Sequence, residues 1–230
     1  MGAAGRHHRR QGALDMIEDP AGFIKANTEV AQPPACPEIS MWTATEVTPL
    51  WEATEAALLR VNLPPPYWAF CWAGGQALTR YVLDNPDMVR GKRVLDFAAG
   101  SGASAIAAAR NGAAHVQAVE IDAMAATAIG LNAELNAVTI EVICADIVGQ
   151  ENRWDVVVAG DVCYEKPMTE YIFPWLRKLA ADGALVLMAD PGRAYLPKHG
   201  LLEVARKKVA TSLELEDRTT REVVIYKIVG

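Results

Sequence analysis

From residue 92 onward, short apolar runs alternate with longer stretches of helical periodicity. The short runs predict strands at 93–97, 115–121, 140–144, 154–159 and 184–189. The longer stretches predict helices at 103–110, 123–135 and 167–180. Such alternation is typical of a parallel sheet with helices on both faces, and two β-rich runs, 204–211 and 222–229, add a pair of antiparallel strands. We therefore expect an α/β fold with a doubly wound, mostly parallel seven-stranded sheet and a C-terminal antiparallel hairpin.

The part of the chain before residue 92 has a less regular pattern. Residues 1–20 are predicted to be a flexible tail, and residues 21–91 to be a helical and aromatic segment. The elements expected in that segment are an amphipathic helix at 48–60, an aromatic run at 67–72 and a helix at about 76–83. The sequence thus divides into a tail, this segment and a sheet-forming core at 92–230.

Composition excludes several classes of partner. The 230 residues are 51% hydrophobic, yet apolar runs such as 184–189 are far shorter than the roughly 18 residues of a membrane span, so no membrane partner is expected. The net charge of -6 argues against a broad phosphate-binding surface, and hence against nucleic acid. The basic N-terminal residues lack the apolar stretch of a secretory signal, which predicts a cytoplasmic location. The four cysteines form no CxxC pair and the four histidines show no ligand spacing, so no metal is expected.

Candidate chemistry lies where three consecutive predicted strands end. The first strand leads through Asp96 into a turn that contains Gly100 and Gly102, where the backbone can turn sharply at a helix N-terminus. Such a turn alone is also common in ordinary strand-to-helix connections. Glu120, 20 residues after Gly100, can accept hydrogen bonds from ribose hydroxyls. Asp146, after the third strand, can accept a hydrogen bond from the amine of adenine. Together these residues predict a nucleoside site.

Two classes of cofactor fit this pattern. The segment 100–105 (GSGASA) also matches the G-x-G-x-x-A fingerprint of nicotinamide enzymes, which leaves an NAD-dependent oxidoreductase as an alternative. Asp96 would repel a pyrophosphate but would attract an ammonium group. S-adenosylmethionine carries an ammonium, a sulfonium, a ribose and an adenine, and is therefore the cofactor that the acids favour.

Three motifs make this interpretation more specific. Residues 94–103 (VLDFAAGSGA), 119–122 (VEID) and 144–146 (CAD) resemble the successive motifs of seven-β-strand, S-adenosylmethionine-dependent methyltransferases. That family has five parallel strands and an antiparallel hairpin at one edge. Ala98 stands where the family usually has the first glycine of the loop. The resemblance implies that Ala98 and Ile121 also contact the cofactor.

Segments outside these motifs point to one branch of the family. Residues 64–75 (PPPYWAFCWAGG), 159–165 (AGDVCYE) and 190–193 (DPGR) resemble protein-lysine methyltransferases that act on the electron-transfer flavoprotein β-subunit. The resemblance implies methyl transfer to lysines near that subunit's dehydrogenase recognition loop. It also implies that residues 92–230 bind the cofactor and that residues 21–91 cover the substrate side. Ribosomal-protein lysine methyltransferases share this core, so a ribosomal protein is an alternative or additional substrate.

The catalytic residues implied by the resemblance are Asp161 and Tyr164, which match the family's D/E-x-x-Y/F motif. Asp161 would border the cofactor, orient the lysine nitrogen and stabilise its developing positive charge, while Tyr164 would offer a hydroxyl and a ring to the substrate. A structural alternative for Asp161 is the N-cap of the helix that follows, and for Tyr164 it is ordinary packing.

Three aromatic residues and one arginine complete the expected site. Trp72 is placed beside the cofactor, and Tyr67 and Trp68 nearer the substrate, because aromatic walls attract alkylammonium groups. The same aromatic run is equally consistent with a buried core. Arg193 is expected either to bind an acidic group of the substrate or to pair within the fold.

Overall fold

A computed structural model describes residues 17–45, 65–212 and 216–230. The predicted helix at 48–60 lies outside these residues. The helices are α1 (Pro20–Asn27), α2 (Ala73–Asp84), α3 (Ala103–Arg110), α4 (Ala123–Leu135) and α5 (Lys166–Ala181), with short 3-10 turns at Tyr67–Ala69 and Pro86–Met88. The strands are β1 (Glu29–Ala31), β2 (Met41–Thr43), β3 (Arg93–Phe97), β4 (His115–Glu120), β5 (Glu141–Cys144), β6 (Val156–Gly160), β7 (Leu185–Asp190), β8 (Leu201–Ala210) and β9 (Thr220–Ile228).

Strands β3 to β9 form one seven-stranded sheet in the order β5-β4-β3-β6-β7-β9-β8. The first five in this order are parallel, β9 is antiparallel to β7, and β8 is antiparallel to β9. The predicted fold class is therefore confirmed. After β5 the chain crosses to the other side of β3 to form β6, so the strand order reverses between β3 and β6. Open α/β sheets bind ligands at the carboxyl ends of the strands beside such a switch point.

Alternation along the central strands divides the core into two layers. In β6, Val156 and Val158 face the layer that contains α2 and α3, whereas Val157 and Ala159 face the layer that contains α5. Fully buried side chains on both faces explain why these strands appear in the sequence as continuous apolar runs.

Helix α2 belongs to the same core as the sheet, although it precedes residue 92. Ala77 and Leu78 of α2 are fully buried in one cluster with Val94 and Val158. The predicted division at residue 92 therefore does not coincide with a gap in the packing.

The N-terminal elements form a smaller layer that the sequence pattern did not predict. Strand β1 pairs with β2 in a separate two-stranded sheet. The amide of Trp42 donates to Asn132 Oδ1 in α4 at 2.7 Å, and Ile24 of α1 is buried in a cluster with Met124 and Ala128 of α4. Among the described residues, no helix is long and apolar enough to span a bilayer.

The N-terminus of α2 lies unusually close to the ends of β6 and β7. A Cβ atom added at Gly160 would lie 3.1 Å from the Cα of Gly75, and one added at Gly74 would lie 2.8 Å from the carbonyl oxygen of Ala189 and would also collide with Asp161 Oδ2. Only glycine at these positions lets the helix backbone approach the sheet at this distance.

This close approach predicts opposite effects for two glycine-to-alanine substitutions in helices. Gly74→Ala should lower the free energy of unfolding by about 1–3 kcal/mol because the new methyl group is overpacked. Gly130→Ala in α4, where an added Cβ has no neighbour within 4 Å, should raise it by about 0.5–1 kcal/mol. Urea denaturation of both variants measures the difference, and an equal response would contradict the close approach.

Candidate active site

A cleft of about 420 Å³ opens at the switch point, between the carboxyl ends of β3 and β6. Its walls come from the loop after β3, the start of α2 and the end of β6. The predicted cofactor residues that line it are Trp72, Asp96, Ala98, Gly100 and Asp161.

The loop between β3 and α3 has a left-handed backbone at three positions. Ala98, Gly100 and Gly102 have φ angles of 52°, 54° and 79°. A Cβ added at Gly102 would lie 3.0 Å from Ile129 Cγ2, so this glycine also lets α3 pack closely on α4. A Cβ added at Gly100 would have no neighbour within 4 Å, so glycine there favours the left-handed conformation rather than close packing. Alanine at 98 adopts the same conformation despite its side chain.

Asp96 is a buried carboxyl in the wall of the cleft. It is 4% exposed, and its Oδ2 accepts a hydrogen bond from the Ala105 amide at 2.9 Å. Burial raises the pKa of this carboxyl to about 8, while the Ala105 amide opposes the rise. A buried acid with one amide donor fits a cationic group in the cleft, because a cation would favour its ionised form.

Glu120 links the loop after β3 to the end of β4. Its Oε1 accepts from the Gly100 amide at 3.1 Å, and its Oε2 accepts from the amides of Ile121 at 3.0 Å and Asp122 at 3.4 Å. Burial raises the pKa of Glu120, and these amides oppose the rise. Ile121 is 45% exposed beside it. An acidic acceptor with an exposed apolar neighbour suits a ribose and the face of a base.

Asp146 follows β5 at the same edge of the sheet and is exposed. Its Oδ1 accepts from the Val148 amide at 3.0 Å, and its Oδ2 accepts from the hydroxyl of Tyr171 in α5, also at 3.0 Å. The structure thus brings Asp96, Glu120 and Asp146 to three neighbouring strand ends, as the spacing predicted. The contact with Tyr171 was not foreseen.

Asp161 follows β6 directly and has a left-handed φ of 52°. Its Oδ2 accepts from the amides of Gly74 and Gly75, the latter at 3.2 Å, and its Oδ1 accepts from Arg193 Nη2 at 2.8 Å and Nε at 3.1 Å. It is not the N-cap of α5, because that position is Glu165. Burial raises the pKa of Asp161 to about 6, and the Arg193 guanidinium opposes the rise.

Arg193 pairs within the fold, which is the second of its two expected roles. The guanidinium contacts both Asp161 and Glu216, the latter through Nη1 at 3.1 Å and Nη2 at 2.8 Å. Its side chain is 22% exposed. The guanidinium is therefore engaged by two internal carboxylates, and the prediction that it binds an acidic group of the substrate is not supported. Glu216 gave no signal in the sequence, because it lies 23 residues from Arg193 in an unremarkable charged turn.

In the aromatic run, Tyr67 faces outward beside Tyr164 of the segment after β6, whereas Trp68 faces inward. Tyr67 and Tyr164 are 50% and 42% exposed, with ring centroids 5.9 Å apart, and Tyr67 is also 5.9 Å from Trp72. Trp68 is only 3% exposed and packs against Met124 and Ala128 of α4. The prediction that Trp68 contacts the substrate is therefore wrong, because the 3-10 turn directs this ring into the core.

The cleft fits S-adenosylmethionine in its donor set. Asp96 and Asp161 are acids in its walls, which suits a ligand with cationic groups, and Glu120 and Asp146 lie at the adjoining strand ends. No group of three or more His, Cys, Asp or Glu side chains in the described ranges is arranged to hold a metal ion.

Comparisons with known proteins agree with this site. The family model of ribosomal protein L11 methyltransferase (PrmA) matches residues 38–189. The electron transfer flavoprotein beta subunit lysine methyltransferase of Xenopus laevis is 40% identical over 189 residues, 80% of this chain and 74% of that relative. The human enzyme of the same name is 40% identical over 198 residues, 83% of this chain and 73% of that relative. In fold, the chain is similar to magnesium protoporphyrin IX methyltransferase from Synechocystis, with a TM-score of 0.51 and 20% identity. The superposition covers 67% of this chain and 79% of that protein.

Fold and site together define an S-adenosylmethionine-dependent methyltransferase. The chain belongs to the family of electron transfer flavoprotein beta subunit lysine methyltransferases, and its residues 38–189 also match the ribosomal protein L11 methyltransferase model. The nicotinamide oxidoreductase that the G-x-G-x-x-A pattern left open is therefore wrong.

The raised pKa of Asp96 predicts proton release on ligand binding. At pH 7 this carboxyl holds its proton in the free protein, since its pKa is about 8, and the ammonium group of S-adenosylhomocysteine should drive its ionisation. Calorimetric titration in two buffers of different ionisation enthalpy should show more protons released by the wild type than by Asp96→Asn. Asp155→Asn, an exposed pair with Arg93 before β6, is the control and should behave as wild type. Equal release from wild type and Asp96→Asn would contradict this role.

Proposed function

We propose that this enzyme is a protein-lysine N-methyltransferase that transfers methyl groups from S-adenosylmethionine to lysines of the electron-transfer flavoprotein β-subunit, near its dehydrogenase recognition loop. The names of the frog and human relatives support the substrate. The observation that carries the proposal is a pair of half-exposed tyrosines, Tyr67 and Tyr164, whose rings are in contact. Tyr164 follows Asp161, the buried acid in the cleft wall, by three residues.

The residues around the cleft have distinct proposed roles in holding the cofactor. Asp96 faces the ammonium group of the cofactor and attracts it. The left-handed turn from Ala98 to Gly102 lets the backbone approach the cofactor closely. Glu120 accepts from the ribose hydroxyls with Ile121 beside the base, and Asp146 accepts from the adenine amine. Trp72 closes the side towards α2. When bound, S-adenosylmethionine supplies a methyl group on an electrophilic sulfonium.

The tyrosines and Asp161 act on the lysine. Four N–H donors already surround the Asp161 carboxylate, which has about four acceptor sites. We therefore propose that Asp161 stabilises the developing ammonium through its fixed charge rather than through a vacant lone pair. The rings of Tyr67 and Tyr164 attract the alkylammonium, and the Tyr164 hydroxyl orients the nitrogen. The lysine ammonium gives its proton to water before the transfer, so that the nitrogen that accepts the methyl group is a neutral amine.

A ribosomal protein is the second candidate substrate. The match of residues 38–189 to the ribosomal protein L11 methyltransferase model favours it, since this range includes both the cofactor loop and Asp161. Either substrate is a lysine-bearing protein, which suits an enzyme with a net charge of -6. We place the reaction in the cytoplasm, where the four free cysteines of the structure would remain reduced.

A methyl-transfer assay separates the candidate substrates. The enzyme is incubated with isotope-labelled S-adenosylmethionine and either purified electron-transfer flavoprotein or ribosomal protein L11, and the products are mapped by mass spectrometry. We expect methylated lysines in the β-subunit, and their loss when the modified lysines are changed to arginine. Label in L11 alone would replace the first proposal by the second, and label in neither would contradict both.

Substitution of Asp161 tests its proposed charge. Asp161→Asn keeps the shape of the side chain but removes the negative charge, and kcat should fall by about 100- to 1,000-fold. Binding of S-adenosylhomocysteine should weaken far less than kcat falls, since Asp96 and Glu120 remain. Asp87→Asn, an exposed pair with Arg90, should have wild-type kcat. Full turnover by Asp161→Asn would rule out the electrostatic role.

A further inference from the structure

Charged side chains continue behind Asp161 into the interior. Arg193 bridges Asp161 Oδ1 and both oxygens of Glu216, with its shortest contacts at 2.8 Å on each side. Glu216 is only 3% exposed, and it precedes β9 in the C-terminal hairpin. Its Oε2 also lies 3.3 Å from Arg221 Nε, and its carbonyl oxygen accepts from Arg221 Nη2 at 2.8 Å. Asp161, on the cleft wall, is therefore tied to the hairpin by alternating charges.

Burial of so many charges needs an explanation other than stability. Removal of charges from water costs free energy that their mutual attraction often does not recover, so a buried ion pair is weak evidence for stabilisation. The pairing does fix geometry: Arg193 presents two N–H groups to Asp161 and two to Glu216 in a planar fork. The guanidinium therefore has one orientation that satisfies both acids.

We propose that Arg193 and Glu216 are a positioning pair that holds the Asp161 carboxylate in one orientation and keeps its negative charge facing the substrate amine. Arg193 alone would repel a cationic lysine, and Glu216, whose charge is shared with Arg221, offsets part of that repulsion. Neither residue is assigned a contact with substrate or cofactor; both act through Asp161. The inference rests on the proposed role of Asp161 in lysine methylation.

Arg193 and Glu216 have opposite effects on the ionisation of Asp161. The guanidinium of Arg193 favours ionised Asp161, whereas the carboxylate of Glu216 disfavours it. Asp190 acts in the same direction as Glu216; its Oδ1 accepts from the amides of Gly192 and Arg193, which fixes the turn that carries the guanidinium. In the described part of the chain, the thiols of Cys71 and Cys163 also interact with Asp161; burial raises their pKa values, so both thiols are neutral.

The test is a titration of Asp161 that requires no protein substrate. In the full chain labelled with ¹³C at aspartate carboxyls, the Asp161 resonance is identified by its loss in Asp161→Asn. Arg193→Gln should raise the titration midpoint and weaken the acid by about tenfold or more. Glu216→Gln should move the midpoint to lower pH, and the double variant should return towards the wild type. Shifts of opposite sign would show that both residues act on the Asp161 carboxyl, and a matching shift in the acid limb of kcat/KM would show that this control reaches catalysis.

Matched controls keep the result decisive. Glu222→Gln removes an exposed partner of Arg206 on the same hairpin and should leave the midpoint unchanged. If Arg193→Gln does not fold, Glu216→Gln alone decides, since a midpoint that stays or rises in a folded variant overturns the proposal. Binding of S-adenosylhomocysteine verifies the fold of each variant. Because the titration needs no protein substrate, its result is valid even where the flavoprotein assay fails. For any methylated substrate, the acid limb of kcat/KM should shift in the same direction as the Asp161 midpoint in each variant.

Discussion

The carboxylate of Asp161 holds the N-terminus of α2 against the sheet. Trp72 occupies the N-cap position of this helix and makes no side-chain capping bond, so the amides of Gly74 and Gly75 would otherwise lack a partner. Asp161 accepts from both amides across 87 and 86 residues of sequence. One carboxylate thus closes the cleft on the side of α2, completes the helix and places a negative charge beside the switch point.

The carboxyl edge of the sheet concentrates acids that elsewhere would face water. Burial raises the pKa values of Asp96, Glu120, Asp161 and Asp190 together, and each accepts main-chain amides that offset part of this cost. Such a group of perturbed acids is typical of functional sites. It matches a cofactor that carries positive charge and the proposed transfer, in which positive charge develops on the lysine nitrogen, and Arg193 supplies the internal cation that lets several acids share the edge.

The sequence pattern predicted the sheet core closely, because its signals are local. Strand 93–97 and helices 103–110 and 123–135 coincide with β3, α3 and α4, where apolar runs end at turn residues. Helix α2 begins at Ala73 rather than near residue 76, because its first turn depends on a distant carboxylate. Strands β1 and β2 have three residues each; β1 pairs with β2, and β2 is held by contacts with α4, so no periodicity in the sequence predicted them.

Side-chain direction was the least predictable part of the site. Trp68 and Tyr67 are neighbours in one aromatic run, yet one ring packs on α4 and the other faces solvent, a difference set by the 3-10 turn. Spacing along strands predicted that Asp96, Glu120 and Asp146 would share one edge, because parallel strands bring their ends together. It contained no information on the Glu216–Arg193 pair, which forms only when the hairpin folds back.

Ala98 gives the cofactor loop a property that glycine would not. A left-handed backbone at a residue with a Cβ is less favourable in the folded chain, yet alanine also has fewer conformations than glycine in the unfolded chain. The neighbouring amides, Ala99 bound to the Val119 carbonyl and Gly100 bound to Glu120, therefore hold the loop in a shape that alanine alone disfavours. The strain is accepted when the chain folds, so the loop proposed to meet the cofactor carries a local cost that glycine at 98 would largely remove.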